Sequence, residues 1–166
     1  MVELNANKAH YVVATVIIVK DGKYLVTKRA DWEKAFPGKW TVPGGKLETK
    51  DYINKQPDTS AGQWYNVLET LAKREVLEET GLKIKDTKYL TSLTFIRPDG
   101  IPTLVISLFA DYESGEVILS KDMTDFKWVS LEEVKKYDLI DGIYEEIEIL
   151  DRHLKGEKIK TWERKS

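Results

Sequence analysis

Residues 67–82 read VLETLAKREVLEETGL, and the reading of this stretch decides the fold. Drawn as a helix at about 100° per residue, it puts Glu78 about −60° and Glu79 about +40° from Glu75. Trp64, Leu68, Leu71 and Ala72 fall within about 60° of Glu75 on the same wheel. A stripe that is apolar for two turns thus becomes three carboxylates in its last turn. Like charges three and four apart destabilise a helix by roughly a few tenths of a kcal/mol per pair. Carboxylates in the last turn also oppose the helix dipole, by about 0.3–1 kcal/mol each. A hard divalent cation, Mg²⁺ or Mn²⁺, reverses both signs because it prefers oxygen ligands. The plain alternative is a solvated acidic helix end, since Glu is a good helix former. Ser60 and Gln63 have capping-box spacing, which predicts that the helix begins near Ser60. Gly81 is placed to stop it.

Upstream, residues 11–19 (YVVATVIIV) are β-branched and aromatic and predict a buried strand. Asp21-Gly22 predicts a hairpin turn into a second strand at 24–27. Residues 30–38, with Trp32, Phe36, Pro37 and Gly38, read as a loop. A short strand at 39–42 runs into the loop Pro43-Gly44-Gly45, and the polar stretch 46–62 reads as a long loop. Downstream, strands are expected at about 89–96 and 103–110, on either side of the turn Arg97-Pro98-Asp99-Gly100. A last strand near 126–129 leads into the capping box Ser130-Leu131-Glu132-Glu133, and a final helix covers roughly 142–154. The tally is a mixed or antiparallel sheet with two or three helices, so α+β or α/β/α, in one domain spanning 1–166.

The composition narrows the classes further. The 166 residues hold 26 basic and 28 acidic side chains, a formal charge of −2, which argues against a duplex nucleic-acid binder. No apolar run approaches the roughly 18 residues of a membrane span. Residues 1–10 (MVELNANKAH) lack the apolar stretch of a secretory signal, so a cytoplasmic protein is expected. With no cysteine, a disulfide framework, a thiol nucleophile and a zinc–thiolate site are excluded.

The segment Arg74-Glu75-Val76-Leu77-Glu78-Glu79-Thr80-Gly81-Leu82 resembles the second half of a Nudix box. That box reads Gly, five residues, Glu, seven residues, then Arg-Glu-aliphatic-x-Glu-Glu-x-Gly-aliphatic. Residues 39–45 (KWTVPGG) also resemble the approach to the box, and Trp128-Val129 with Leu131-Glu132-Glu133 a later part of the fold. The likeness spans roughly residues 11–134. The first half departs from the pattern. Counting forward from Gly45 reaches Asp51 at the Glu position, whereas counting back from Arg74 reaches Asn66. An insertion at about 51–65 therefore separates loop from helix, and either Asp51 or Asn66 stands in the slot.

The resemblance implies an α+β fold, an α/β/α sandwich around a mixed sheet, and hydrolysis of a nucleoside diphosphate linked to a group X, with Mg²⁺ or Mn²⁺. By position, Glu75, Glu78 and Glu79 are the expected metal ligands, completed by the Gly44 carbonyl, with Arg74 bracing Glu75. Family members often carry a further acidic residue before the Trp-Val strand; Asp122 is preferred here over Asp125. Glu75 is the expected general base, with Glu78 next. Arg29 and Gly45 are the candidate substrate contacts, and Trp32, Phe36 and Tyr11 are candidates for stacking a base. The short chain and the FPGKW segment favour mutator-type cleavage of a nucleoside triphosphate to monophosphate and pyrophosphate. Pro98 leaves ADP-ribose or nucleotide-sugar cleavage as the alternative. A catalytically silent nucleotide-binding module is a further reading. The isomerase branch of the fold, which relies on a catalytic cysteine, is excluded. A nucleotide is the expected partner, with the chain a monomer or homodimer.

Overall fold

The computed structural model describes residues 3–165. Its first strand, β1 (Tyr11–Lys20), turns through Asp21 and Gly22, at φ 51° and 73°, into β2 (Lys23–Arg29). Positive φ at both turn residues is what a tight two-residue hairpin needs, and it explains Asp-Gly there. The two strands pair only beside the turn, at Val19–Tyr24 and Lys20–Lys23, and then part. Two short strands lie in the gap. β3 (Trp40–Thr41) pairs with β2, and β4 (Gly44–Lys46) pairs with β1 through Val13–Lys46, Ala14–Gly45 and Thr15–Gly44. The Gly44-Gly45 pair, expected as a loop, is therefore strand. Gly44 fits because a Cβ there would lie 2.5 Å from the Ala14 carbonyl oxygen.

Two long strands follow, β5 (Lys83–Ile96) and β6 (Pro102–Ser114), and then β7 (Met123–Val129). The main order is β3-β2-β1-β6-β5, with β4 on β1 and β7 on β2. The β1–β6 pair is parallel and the others are antiparallel, so the sheet is mixed, as expected. The long strands run past their expected limits because each pairs along nearly its whole length.

The centre of the sheet is covered on both faces, and β1 alternates accordingly. Ala14, Val16 and Ile18 pack with Leu71, Ala72 and Val76 of helix α1 (Val67–Thr80). Ile17 points the other way, into a cluster with Val134 of α2 (Leu131–Val134) and Ile143, Ile147 and Leu150 of α3 (Ile143–Leu154). The capping box at Ser130 forms, with Glu133 N–H donating to the Ser130 hydroxyl and Glu133 Oε2 accepting from Ser130 N–H at 2.8 Å.

One boundary differs clearly from expectation. Helix α1 starts at Val67, with Asn66 at its N-cap in the left-handed region and no side-chain cap. The Ser60–Gln63 box does not form. Gln63 accepts instead from the Thr59 hydroxyl at 3.0 Å, and Asp58 takes the Tyr65 N–H at 2.8 Å. These local bonds offer the backbone an alternative to helix. Trp64 accordingly leaves the helical stripe, packs on Tyr52 at 5.2 Å between ring centroids and donates to the Lys55 carbonyl. The helix ends as expected, with Gly81 at φ 73° and its N–H on Leu77 O.

Candidate active site

Helix α1 presents its buried side through Leu71, Ala72, Val76 and Thr80. Glu75 and Glu79 flank that line and are carried to the sheet edge at β4. The C-terminal end of the helix is held in place by the segment after β6, where Ile118 N–H donates to Thr80 O and Ser120 N–H to Glu79 O. The strand β4 then meets the carboxylates directly. Gly44 N–H donates to Glu79 Oε2 at 3.3 Å. A Cβ on Gly45 would overlap the Glu75 carboxyl group, so glycine here is what lets that carboxylate lie against β4.

Arg74 organises the other side. Its Nε lies 2.7 Å from Asp51 Oδ1, and one Nη donates to Asp51 Oδ2 at 3.2 Å. Its other Nη lies 2.9 Å from Glu75 Oε1 and 3.0 Å from Glu78 Oε2. Asp51 closes a 3-10 turn (Thr49–Asp51), where it also accepts the Glu48 N–H, and its side chain is only 2% exposed. Of the two residues left open by counting, Asp51 is the one beside Arg74, and Asn66 begins the helix.

The electrostatics divide the three helix carboxylates. Burial pushes Glu79 up to about 8, the nearby Glu75 and Asp122 charges add to the shift, and Gly44 N–H and Arg29 oppose it. Burial also raises Glu75, against the pull of Arg74. Glu78, with a side chain 58% exposed, remains in solvent. Glu75 and Glu79 are half-buried, with Arg74 paired to the first and Arg29 near the second, and burial still raises both, so the site is short of positive charge.

The donor set is all oxygen and suits a hard divalent ion. Glu79 in particular is held by a single backbone N–H in a place where burial disfavours its charge, which a cation would correct. Glu75, Glu79, Glu78 and Gly44 are the residues that would hold it. Among the described residues no three acidic or histidine side chains are already gathered as a cage, because Arg74 occupies the inner oxygens of Glu75 and Glu78.

The remaining candidates are placed as follows. Asp122 is close enough to Glu79 to raise its pKa, while its carbonyl accepts the Ala30 N–H across the irregular end of β2 and β7. Asp125 instead accepts from its neighbour Phe126 N–H. Arg29 lies near Glu79 but is engaged by the Ala35 carbonyl at 2.7 Å and Glu33 at 3.1 Å, which ties down the 30–38 loop. Trp32 stands in solvent. Phe36 meets Phe95 at 6.4 Å, and Tyr11 has Lys46 and Arg97 over its ring, each at 5.3 Å. Pro98 belongs to a turn closed by Gly100 N–H on Arg97 O and by the Arg97–Asp99 ion pair, which accounts for it without a ligand.

A residue that the sequence reading passed over is Glu146. It lies on the inward side of α3, three after Ile143 and four before Leu150, a carboxylate within an apolar stripe. That break in periodicity was the available signal.

Comparison with known proteins agrees with this geometry. The family model described as NUDIX domain matches residues 8–148. A protein of Escherichia fergusonii named nucleoside triphosphatase NudI is 28% identical over 134 residues, covering 74% of this chain and 84% of the relative. The MutT protein of Methanosarcina mazei superposes with a TM-score of 0.63 at 27% identity, over 91% of this chain and 99% of that one. The MutT NUDIX hydrolase of Burkholderia pseudomallei gives 0.66 at 23% identity, over 85% and 98%. With its mixed sheet between helices and its glutamates set against Gly44 and Gly45, the chain belongs to the Nudix family and is a Nudix-type pyrophosphohydrolase.

Proposed function

We propose that the enzyme hydrolyses nucleoside triphosphates to monophosphate and pyrophosphate, using Mg²⁺ or Mn²⁺ held by Glu75, Glu78, Glu79 and the Gly44 carbonyl, with Asp122 beside them. The observation that carries this reading is the pair of half-buried carboxylates, Glu75 and Glu79, packed against Gly45 and Gly44. The relatives named as nucleoside triphosphatases support the substrate class. The reading treats the chain as one domain with residues 51–65 as its insertion. It places the enzyme in the cytoplasm, where such substrates are made and used.

A bound divalent ion would neutralise phosphate oxygens and lower the pKa of a water. The protein's own groups do the rest. Glu75, with its carboxylate basicity raised by burial, takes the proton of the attacking water. Arg74 holds Glu75 in place through its 2.9 Å contact and is itself fixed by Asp51. Glu78, exposed and on the solvent side, is the second candidate for the base. Gly45, having no side chain, leaves room for the Glu75 carboxylate and offers only its backbone to the phosphate chain.

The test is turnover of a nucleotide panel with Mg²⁺ or Mn²⁺ and with a chelator. The panel holds the nucleoside triphosphates, ADP-ribose, sugar nucleotides and dinucleoside polyphosphates, with Glu78→Gln run beside the wild type. Metal-dependent release of pyrophosphate from triphosphates, weakened in the variant, is expected. A preference for ADP-ribose or a sugar nucleotide would replace the substrate class. Absence of turnover with retained nucleotide binding would make the chain a silent module.

A further inference from the structure

The sheet ends at β5, which pairs with β6 on one side and, among the described residues, with no strand on the other. Such an edge presents a row of unpaired N–H and C=O groups and invites another strand. The two halves of β5 treat it differently. From Lys83 to Lys88 the edge is guarded. Lys83, Lys85 and Lys88 are exposed, Asp86 takes a left-handed φ of 53°, and the register with β6 slips between Lys83 and Ile84 and between Lys85 and Lys88. Charged side chains and bulges are the devices that keep sheet edges from pairing. After a last slip between Tyr89 and Thr91 they stop. Thr91 to Ile96 pairs with Ser107 to Pro102 residue for residue, and residues 89–96 (YLTSLTFI) hold no charge, glycine or proline. This uncharged half stands open, with Tyr89 58% exposed, Leu93 40% and Ile96 68%.

The faces of the strand decide what fits it. Thr91, Leu93 and Phe95 lie on the α3 side, in line with Ser107, Val105 and Thr103. Tyr89, Ser92, Thr94 and Ile96 lie on the α1 side, in line with Leu108, Ile106, Leu104 and Pro102. A second copy added antiparallel about a twofold axis normal to the sheet keeps both faces continuous only if the axis passes through a residue. Passed through Leu93, it sets Leu93 against Leu93, Thr91 against Phe95 and Ser92 against Thr94. Leu90 is bulged out of the ladder, so Tyr89 then falls against Ile96 on the same face. The three exposed apolar residues of the strand thus cover one another, in hydroxyl, aliphatic and aromatic pairs that stabilise antiparallel ladders. Moving the axis to Thr94 loses this, because Ile96 then meets Ser92. The charges also agree. Lys88 of one copy arrives beside Arg97 of the other, which Asp99 already neutralises at 2.9 Å.

We propose that β5 is a homodimer interface, in which residues 89–96 of two copies of this chain pair antiparallel about Leu93 and join their sheets into one. β4 sits on β1, with β6 between them and the seam, so the candidate active site stays open in the dimer. The proposal does not depend on which nucleotide is cleaved.

The experiment uses the full chain. Sedimentation velocity from about 1 to 100 µM is expected to show a concentration-dependent dimer for the wild type. The chain has no cysteine, so Leu93→Cys carries one thiol, which meets its own counterpart at the axis. Directly opposed residues lie within disulfide reach. Mild oxidation should turn Leu93→Cys into a covalent dimer and leave Tyr89→Cys, whose counterpart is Ile96, uncrosslinked. Leu93→Lys sets like charges face to face and weakens the dimer about 10-fold or more, with a thermal melt to confirm that it folds. Tyr89→Lys weakens it too, and adding Ile96→Glu to the same chain restores it, which recovery of a damaged fold would not explain. A wild type that is monomeric at about 100 µM would overturn the proposal and leave the edge to a strand of another protein. A dimer indifferent to Leu93→Lys, or crosslinking no faster at Leu93→Cys than at Tyr89→Cys, would overturn it as well.

Discussion

Gly45 and Glu75 occupy what would otherwise be one space: a side-chain carbon on the glycine would lie 2.1 Å from the carboxyl carbon of the glutamate. The Glu75 carboxylate can lie against the strand, where Arg74 holds it, only because position 45 has no side chain. Replacing Gly45 with Ala therefore forces either β4 or the Glu75 side chain to move by an ångström or more. A displacement of that size costs about 100-fold in rate when it misplaces a reacting group. Gly45→Ala is expected to stay folded, since β4 is a three-residue edge segment, and to lose about 100-fold in kcat. Steady-state kinetics with a thermal melt check both halves.

Asp51 and Asn66 separate in the same way. Asp51 is buried and bound to Arg74 through two contacts, whereas Asn66 makes no side-chain cap and only adopts a left-handed turn. Asp51→Ala leaves Arg74 without its anchor, at about 2–3 kcal/mol, below the range for a fully buried pair because Arg74 is partly exposed. Activity falls with it, as Glu75 loses its support. Asn66→Gly keeps the left-handed turn and stays within about 0.5 kcal/mol of the wild type. Urea denaturation of the two variants separates these outcomes.

Glu146 makes stability depend on pH. Burial raises its carboxyl from 4.5 to about 7 in the folded protein, so between those values the folded chain holds a proton that the unfolded chain has released. Stability from this group is therefore highest below pH 4.5, falls as pH rises to about 7, and is flat beyond. The loss is on the order of 3 kcal/mol at most. Glu146→Gln removes the titration. It should match the wild type near pH 5 and be more stable at pH 8, by denaturant melts at the two values.

Much of this was legible in residues 67–82 and 39–45, because a carboxylate turn on an amphipathic helix and a Gly-Gly pair each carry a local signature. The strands followed from β-branched runs and turn residues such as Asp21-Gly22, whereas the parallel pairing of β1 with β6 that makes the sheet mixed joins segments about 90 positions apart and has no local signature. The start of α1 was not legible. Ser60 and Gln63 have the right spacing for a cap, but Asp58 and Thr59 compete for the same groups through contacts that spacing alone does not reveal. The pairing of Asp51 with Arg74 was hidden for a different reason. The insertion separates them by 23 positions, and only the folded chain brings them together.

The most direct measurement is a phosphorus NMR time course of a nucleoside triphosphate with Mg²⁺, run on the wild type and on Glu79→Gln. The expected spectra show monophosphate and pyrophosphate growing together in the wild type. They should be absent with a chelator and reduced by about 100-fold or more in the variant. Release of diphosphate and inorganic phosphate instead, or equal rates for wild type and Glu79→Gln, would contradict the role given to these carboxylates.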